Sequence, residues 1–484
     1  MRIDTKYKEV AGIVSLAVLD TAAFYLSLFL AYSVRKFLNI LIVKLVPLKF
    51  SLPYFFAFWW MPVIVLVFIA YQGLYAKRLS FWDESRELIK ALSLAVLVVF
   101  AIATLGRLTY GISRLTIILL FFCSLLVFPL ARLTGKRLLY RMGLWKENLI
   151  IIGAGCAGMD IAKGIDGDKH LGYNIIGFLD DDLKKIGRKI VINSRNYKVF
   201  GKVKNFNKFL TLLNISTVII AIPSHSVEDL SRLTNTVQKY AKRVLLIPDL
   251  KGVALANTEL YHLFMQQLFL LKINNNLKSS LNQYIKRGVD LLLSVLLLPL
   301  LLFLVGIFGL LIVLDSRGPV FLVQDRVGMN RKLFRCIKFR TMYIQADAIL
   351  GKYLENNKEA REEWCRYRKL KDFDPRVTRI GKFLRRTSLD ELPQIFNVFA
   401  GDMSFLGPRP YLPDEEEEMR QYGHLILLTR PGITGLWQVS GRSELDFEAR
   451  VKLDAWYVLN WSLWLDIVIL LKTIRVVFSR EGAY

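Results

Sequence analysis

The sequence predicts a membrane protein of the mixed α and α/β class with three parts: a four-helix transmembrane bundle, a Rossmann-like doubly wound domain, and a C-terminal domain whose first helix enters the membrane and returns. Three observations predict this fold class. Four apolar stretches occupy the first third of the 484 residues, short β-rich runs around a glycine-rich turn follow, and Pro299 interrupts a last apolar stretch. We expect domains at 1–145, 146–275 and 280–484, since this length exceeds one compact domain.

Composition and charge support a membrane protein. Apolar residues make up 54% of the chain and charged residues 22%, so the two kinds must be segregated along the sequence. The formal net charge is +25, which in a chain with spanning helices points to anionic lipids and phosphorylated substrates rather than nucleic acid. The four cysteines are scattered, which predicts reduced thiols and gives no sign of a disulfide framework or zinc site.

The first four apolar stretches predict transmembrane helices, because each is long enough to cross the hydrocarbon core; they lie at 10–34, 52–75, 88–106 and 112–131. Basic residues near 6–8, 77–90 and 132–141 place those segments on the cytoplasmic side, although the basic residues at 35–49 fit this topology less well. Asp20 is costly in lipid, so we expect it to face the bundle or a partner.

The second part begins with an apparent strand at 148–152, followed at once by Gly153, Gly155 and Gly158. Such glycines allow a tight turn, and the N-terminus of the next helix can hold a pyrophosphate. Asp180 follows a second strand at 173–179 and is placed to bind a ribose. Two more strands, at 218–222 and 244–247, would extend a parallel sheet. The same glycines also serve helix-to-strand packing, so nucleotide binding remains open.

The long apolar segment within 284–314 contains Pro299, which removes a helix hydrogen bond and kinks the axis. Both flanks are strongly basic, which places both ends on the cytoplasmic side and favours a re-entrant helix. On charge alone, an ordinary kinked span remains the alternative.

Beyond residue 315 the chain has several polar, arginine-rich motifs. In one of them, Ser388 and Glu391 have the spacing of a capping box, in which the serine caps a helix and the glutamate reaches back. The adjacent Asp390 and Glu391 also follow Arg385 and Arg386, at a predicted helix N-terminus that attracts anions. Such a pair can supply one carboxylate as a nucleophile on phosphorus and the other as an Mg²⁺ ligand.

These motifs together resemble the bacterial sugar transferase family, the monotopic polyprenyl-phosphate phosphoglycosyl transferases. The similar segments, besides the helix broken at Pro299, are 286–290 (KRGVD), 338–342 (KFRTM), 387–394 (TSLDELPQ) and 407–410 (GPRP). The likeness covers 283–484, and the preceding bundle and Rossmann-like domain resemble the long-form members. Members that transfer galactose-1-phosphate are the most similar, on the segments 361–364, 369–372, 435–443, 461–464 and 482–484.

The resemblance implies a reaction in two steps. Asp390 would attack the β-phosphate of a UDP-sugar and release UMP, and undecaprenyl phosphate would then accept the phosphosugar. Glu391 matches the family's second carboxylate, which implies Mg²⁺ as cofactor and Glu391 as its ligand. The residues expected to bind substrate phosphate are Lys338, Arg340, Arg385, Arg386 and Arg409. Those expected to border the nucleotide are Trp437, Gln438 and Arg442.

The resemblance also implies a cellular setting. The chain would be a multi-pass enzyme of the bacterial inner membrane, a homodimer in contact with membrane lipids, with its catalytic domain on the cytoplasmic face. It would carry out the first membrane step of O-antigen, capsule or exopolysaccharide biosynthesis. UDP-sugars are cytoplasmic, which favours the re-entrant reading of Pro299. Galactose-1-phosphate is favoured, while glucose-1-phosphate and N-acetylhexosamine-1-phosphate remain open.

Two other classes of protein fit parts of the sequence. An NAD-dependent nucleotide-sugar dehydratase or epimerase would use the glycine motif, but such enzymes need a Tyr-x-x-x-Lys pair. The tyrosines of the Rossmann-like part all lack a lysine four residues on; they are Tyr173, Tyr197, Tyr240 and Tyr261. A non-catalytic scaffold that senses a nucleotide would keep working after Asp390→Asn, whereas the enzyme would not.

Overall fold

The computed structural model describes residues 2–41, 58–105, 114–213, 215–223, 226–247, 258–263, 268–273, 276–367, 370, 373–441 and 446–479. The chain forms two compact units, Met1–Lys251 and Gly252–Tyr484. The first unit contains both the helical bundle and the Rossmann-like sheet, and the three domain boundaries stay a prediction.

Four apolar helices begin the first unit: α1 (Arg2–Leu41), α2 (Trp60–Tyr71), α3 (Phe81–Leu105) and α4 (Arg114–Arg141). Three of them, α1, α3 and α4, are long and apolar enough to cross a membrane. Helix α2 has 12 residues, which gives a length of about 18 Å. The first part of the predicted span at 52–75 lies outside the described residues.

Asp20 is fully buried in the bundle and is paired there. Its carboxylate accepts hydrogen bonds from Arg132 at 2.6 and 3.0 Å and from the Tyr75 hydroxyl at 2.7 Å. Arg132 also donates to Glu84, which in turn pairs with Lys136 at 2.8 Å. A charge at membrane depth is tolerated when it is paired within the protein, so the prediction that Asp20 faces the bundle is confirmed.

The Rossmann-like part is a six-stranded sheet in the order β3-β4-β2-β1-β5-β6. Its strands are β1 (Glu147–Ile152), β2 (Tyr173–Leu179), β3 (Lys189–Ile192), β4 (Arg195–Gly201), β5 (Thr217–Ile220) and β6 (Arg243–Leu246). Its helices are α5 (Cys156–Gly167), α6 (Phe206–Leu212) and α7 (Val227–Gln238). The four predicted strands are confirmed as β1, β2, β5 and β6.

The expectation of a purely parallel sheet is wrong, because β3 pairs antiparallel with β4. Asn193 and Ser194 connect these strands with φ values of 46° and 65°. Two successive residues with positive φ make a tight hairpin turn whose twist matches that of the strands, so the edge strand folds back on its neighbour.

The glycine-rich turn after β1 serves helix-to-strand packing. Gly153 has a φ of +105°, and a Cβ on Gly158 would lie 2.0 Å from the Gly153 carbonyl oxygen. Gly155 precedes α5 in an extended conformation. The Asp180 carboxylate accepts from the Ala154 backbone N–H at 2.8 Å, which ties the end of β2 to this turn. Nucleotide binding at the three glycines and Asp180 stays a prediction.

The second unit starts with a separate hairpin of β7 (Thr258–Leu263) and β8 (Leu268–Ile273), followed by the long helix α8 (Ser280–Asp315). A second hairpin comes next, formed by β9 (Phe321–Val327) and β10 (Leu333–Phe339). The remaining helices are α9 (Ala346–Asn356), α10 (Lys358–Tyr367), α11 (Arg379–Thr387), α12 (Gln394–Ala400), α13 (Gly423–Ile426), α14 (Leu436–Val439), α15 (Phe447–Leu459) and α16 (Leu463–Ser479). Strands β11 (Ser404–Leu406) and β12 (Gly432–Thr434) pair in parallel beside the core.

Helix α8 is 36 residues long, contains Pro299 and is apolar enough to enter a membrane. Residues near both of its ends form hydrogen bonds or ion pairs with the polar part of the same unit. Near the start, Lys286 Nζ donates to the Leu406 carbonyl at 2.9 Å and pairs with Asp466 at 2.7 Å. At the end, the Asp315 carboxylate accepts from the Ile380 N–H at 3.0 Å, at the beginning of α11.

Candidate active site

Asp390 and Glu391 lie on a single 3-10 turn, Leu389–Glu391, between α11 and α12. The predicted capping box at this position is wrong. Ser388 has a φ of 57° and ends α11 in the left-handed conformation, and its side chain makes no capping hydrogen bond. The N-terminus of α11 is capped instead by Thr378, whose hydroxyl accepts from the Gly381 N–H. The two carboxylates are therefore not used in a helix cap.

Glu391 is paired with Lys338, which was predicted to bind substrate phosphate and lies near the end of β10. The Lys338 ammonium donates to a Glu391 carboxylate oxygen at 2.7 Å, and the two side chains are 26% and 28% exposed. This partial exposure leaves the pair accessible to a substrate. The structure therefore brings Lys338 to the carboxylate pair Asp390 and Glu391, which lies in a different motif of the sequence.

Buried Asn397, which the sequence analysis missed, holds the turn against the strand. Its amide nitrogen donates to the Arg335 carbonyl at 2.7 Å, and its amide oxygen accepts from the Ile337 N–H at 3.1 Å. Asn397 lies on α12, immediately after the carboxylate turn, and Ile337 precedes Lys338 on β10. One side chain thus fixes the distance between Lys338 and the carboxylates. A polar residue among the apolar residues of α12 was the available signal.

Burial raises the pKa of Asp390 to about 6, and the neighbouring Glu391 charge adds to this effect. Lys338 and Arg385 act in the opposite direction, because they favour the charged form. The result is a half-buried carboxylate that is still mostly ionised at neutral pH. A carboxylate that is partly desolvated and does not cap a helix is suited to act as a nucleophile.

The two arginines before the turn differ in their positions. Arg385 donates to the Thr341 hydroxyl at 2.9 Å, and burial lowers its pKa while the charge of Asp390 opposes that effect. Arg386 is exposed, and among the described residues its side chain makes no hydrogen bond. The structure therefore brings Arg385, and not Arg386, to the carboxylate pair.

Arg340 has a different environment from Lys338. Its two terminal nitrogens donate, at 2.6 Å each, to the carbonyls of Ser316 and Arg317 just beyond α8, and the residue is buried. These contacts hold the end of the long helix. A phosphate-binding role for Arg340 stays a prediction.

Arg409 is held at a second side of the site by the buried Asp454 of α15, which the sequence analysis missed. The Asp454 carboxylate accepts from the Arg409 backbone N–H at 3.0 Å and from the Tyr411 hydroxyl at 2.8 Å. Burial raises the pKa of Asp454 to about 7. The Arg409 guanidinium lies 3.4 Å from Glu415 and 5.9 Å from the Trp437 ring centroid. The signal for Asp454 was an acid on the apolar face of an amphipathic helix.

The three residues predicted to border the nucleotide have different positions. Trp437 lies beside Arg409, as described above. Gln438 is used by its own loop, because its side chain accepts from the Gly435 N–H at 3.1 Å and donates to the Ile433 carbonyl at 3.2 Å. Arg442 lies outside the described residues.

The carboxylate pair is of a kind that Mg²⁺ commonly takes as protein ligands. Among the described residues, no group of three or more His, Cys, Asp or Glu side chains is placed to hold a metal. Mg²⁺ does not need such a group, because it commonly takes one or two protein carboxylates and completes its shell with water and substrate phosphate. Glu391 and Asp390 are adjacent and only partly buried, so they satisfy this requirement.

Two family models match the chain: bacterial sugar transferase at residues 281–480 and CoA-binding domain at residues 70–248. The chain is 36% identical to UDP-galactose-lipid carrier transferase of Erwinia amylovora and 34% identical to undecaprenyl-phosphate galactose phosphotransferase of Salmonella typhimurium, over 85% of this chain and 84% of each relative. It is 31% identical to UDP-glucose:undecaprenyl-phosphate glucose-1-phosphate transferase of Escherichia coli, over 72% of both chains. The chain therefore belongs to the bacterial sugar transferase family.

Proposed function

We propose that this protein transfers galactose-1-phosphate from UDP-galactose to undecaprenyl phosphate and releases UMP. The observation that carries the proposal is the half-buried Asp390, with a pKa of about 6, beside the Glu391–Lys338 pair. Galactose is favoured because two relatives that align over most of the chain are named for galactose transfer. Glucose-1-phosphate is the second candidate, since a further relative is named for glucose-1-phosphate transfer.

In the first step, an Asp390 oxygen forms a bond to the β-phosphorus of the UDP-sugar. The bond from that phosphorus to the bridging oxygen breaks, and its electron pair leaves with UMP. In the second step, a phosphate oxygen of undecaprenyl phosphate attacks the same phosphorus, and the electron pair of the broken acyl phosphate bond returns to Asp390. Each step exchanges one P–O bond for another, so no oxidant or reductant is required.

The neighbouring side chains would supply charge and position. Lys338 and Arg385 favour ionised Asp390 and would offset the negative charge that gathers during transfer. Arg409 lies on a loop fixed by Asp454, which limits its movement when a phosphate binds. Glu391 would hold Mg²⁺ with the diphosphate, and the ion when bound would reduce the repulsion between substrate and carboxylates.

Helix α8 would be the re-entrant element at the membrane. Its middle is apolar and exposed, as Leu292, Leu296 and Phe303 illustrate, while both ends are bonded to the same polar unit. A helix that crossed the bilayer would place its ends on opposite sides, about 30 Å apart across the hydrocarbon core. Contact of both ends with one polar unit therefore supports entry and return at Pro299.

The setting follows from the substrates. UDP-sugars are cytoplasmic, so the catalytic unit would face the cytoplasm from the bacterial inner membrane, in the synthesis of an O-antigen, capsule or exopolysaccharide. The bundle and the Rossmann-like sheet would be accessory parts, and a homodimer remains our expectation. The dehydratase or epimerase alternative is disfavoured, since the tyrosines of the Rossmann-like part lack the partner lysine.

The test is UMP release by detergent-solubilised protein with Mg²⁺, undecaprenyl phosphate and a panel of UDP-sugars. Asp390→Asn should abolish UMP formation, because a neutral amide cannot attack phosphorus. Asp347→Asn is the matched control, since Asp347 is exposed on α9. Release of UMP from UDP-galactose alone supports the sugar assignment, and release from UDP-glucose alone overturns it. UMP formation that survives Asp390→Asn would contradict the mechanism.

A further inference from the structure

Arg326, which the sequence analysis did not single out, lies on the face of the β9–β10 hairpin that carries Lys338. Lys338 and Phe334 are four residues apart on β10, so they share a face. Arg326 is the partner of Phe334 in the antiparallel ladder, and directly opposed residues point to the same side. Arg326 therefore stands on the active-site face of the hairpin.

The Arg326 side chain is held in place by neutral hydrogen-bond acceptors. Its guanidinium donates to the Pro410 carbonyl at 3.0 Å, next to Arg409, and to the Gln324 amide oxygen at 2.7 Å. Its Nε is buried and has no hydrogen-bond partner in the described part of the chain. Among the described residues, no carboxylate lies within salt-bridge distance of it. Burial lowers the pKa of Arg326, and the positive charge of Arg409 lowers it further.

Arg326 is one member of an arginine cluster, which consists of Arg326, Arg409 and Arg450. Arg409 also repels Arg450, whose guanidinium lies 6.0 Å from the Trp437 ring centroid. Glu415 is the carboxylate whose charge acts on both Arg326 and Arg450, and it lies 3.4 Å from Arg409. Arg326 and Arg409 thus share Glu415, and Glu391, whose charge also acts on Arg326, is already paired with Lys338, so positive charge is in excess around Arg326 and Arg409. Such an excess is relieved by binding a phosphorylated ligand.

The groups near Arg326 match the parts of a nucleoside diphosphate sugar. The charges of both Glu391 and Arg409 act on Arg326, so Arg326 lies near the carboxylate pair and also near Arg409, which is 5.9 Å from the Trp437 ring centroid. In a UDP-sugar, the α-phosphate lies between the reacting β-phosphate and the nucleoside. An aromatic ring beside Arg409 suits a nucleobase, whereas a prenyl phosphate has no ring to stack.

We propose that Arg326, together with Arg409, binds the phosphate of the UDP-sugar that does not react, the α-phosphate that leaves as part of UMP. This assignment rests on the proposed function of the same site. Arg326 would stabilise the negative charge that develops on UMP as the bond to the β-phosphorus breaks. It would also retain UDP and UMP, the compounds that contain this phosphate.

The test compares Arg326→Gln with wild-type protein in two measurements. One is the second-order rate constant for UMP formation in a single turnover with undecaprenyl phosphate omitted, and the other is the Kd of UDP. Both should worsen about ten- to hundredfold, the usual effect of losing a charge-assisted hydrogen bond. Arg335→Gln is the matched control, because Arg335 is exposed on the opposite face of the hairpin and should bind UDP as wild type does. Arg326→Lys keeps the charge, so it should give an intermediate loss and serves if Arg326→Gln fails to fold.

The outcomes separate this inference from the proposed function. If wild type is active and Arg326→Gln binds UDP and releases UMP as wild type does, the proposed role of Arg326 is overturned. The proposed transferase function would then still stand. Normal UMP release with loss of transfer to undecaprenyl phosphate would assign the arginine to the lipid phosphate and overturn the nucleotide assignment. If wild type turns over no UDP-sugar, the proposed function fails, and weaker UDP binding by Arg326→Gln would still support the phosphate site.

Discussion

Replacing Lys338 with methionine should shift the pH dependence of UMP formation to higher pH. Lys338→Met keeps the length of the side chain but removes the ammonium that pairs with Glu391 at 2.7 Å. Lys338 also acts on Asp390 directly, in the direction that lowers its pKa. Without this cation, the negative charge of Glu391 acts on Asp390 with less opposition, because Arg385 remains and Lys338 does not. Both changes favour the protonated, unreactive form of Asp390.

The magnitude follows from the pKa of Asp390, which is about 6. A nearby opposite charge moves a pKa by roughly 1 to 3, and partial exposure favours the low end, so we expect a pKa of about 7 in the variant. At pH 7 the ionised fraction would fall from about nine-tenths to about half, a loss of roughly twofold. At pH 6 the loss would be about fivefold, and above about pH 8 it would disappear.

The assay is single-turnover UMP formation from about pH 5.5 to 8.5, with undecaprenyl phosphate omitted so that only the first step is observed. Lys332→Met is the control, because Lys332 is exposed between β9 and β10 and should leave the profile unchanged. A loss that persists at pH 8.5 would measure the contribution of Lys338 to phosphate binding. A midpoint that stays at the wild-type pH, or falls, would refute the coupling of Lys338 to Asp390.

Two further variants test packing. Asn397→Ala removes both hydrogen bonds between α12 and β10 and should cost about 2–4 kcal/mol, lowering the thermal unfolding midpoint in detergent by several degrees. Asn356→Ala, on exposed α9, is its control, and an unchanged midpoint for Asn397→Ala would contradict the proposed linkage. Glu84→Gln leaves the buried Lys136 without its carboxylate and removes one of the two carboxylates that pair with Arg132, so it should cost about 3–5 kcal/mol, seen as loss of monodisperse protein after extraction. Glu87 is partly exposed, so Glu87→Gln is the control. If Glu84→Gln gives the same yield of monodisperse protein as Glu87→Gln, the buried ion pairs of Glu84 are dispensable.

The sequence was most informative where local pattern decides structure. Strands β1, β2, β5 and β6 are short runs rich in β-branched and other apolar residues, and each was predicted within two residues of its bounds. The β3–β4 hairpin was missed because Asn193-Ser194 is a weaker turn signal than Asn-Gly, although both residues adopt positive φ. Asp20 was placed correctly in the bundle because a lone charge in a lipid-spanning segment has few other solutions.

The contacts of the active site were harder to predict from the sequence, because they join segments that are distant along the chain. The spacing of Ser388 and Glu391 fits a capping box, yet α11 ends at this point and Glu391 pairs with Lys338 instead. Lys338 and Arg340 are two residues apart and would share a face if the strand continued. The strand ends at Phe339, and Arg340 turns to the end of α8. Local periodicity cannot reveal where such a strand stops.

The contacts of α8 link the membrane to the chemistry. The Arg287 guanidinium donates to the Val398 and Phe399 carbonyls at 2.6 and 2.9 Å, near the end of α12. The Asp315 carboxylate accepts from the Ile380 N–H at the beginning of α11, where a negative charge is favoured by the helix dipole. Helices α11 and α12 flank the turn that carries Asp390. If α8 enters the membrane as proposed, one helix both contacts the lipid and fixes the two supports of the nucleophile, so the lipid acceptor and Asp390 are positioned by the same element.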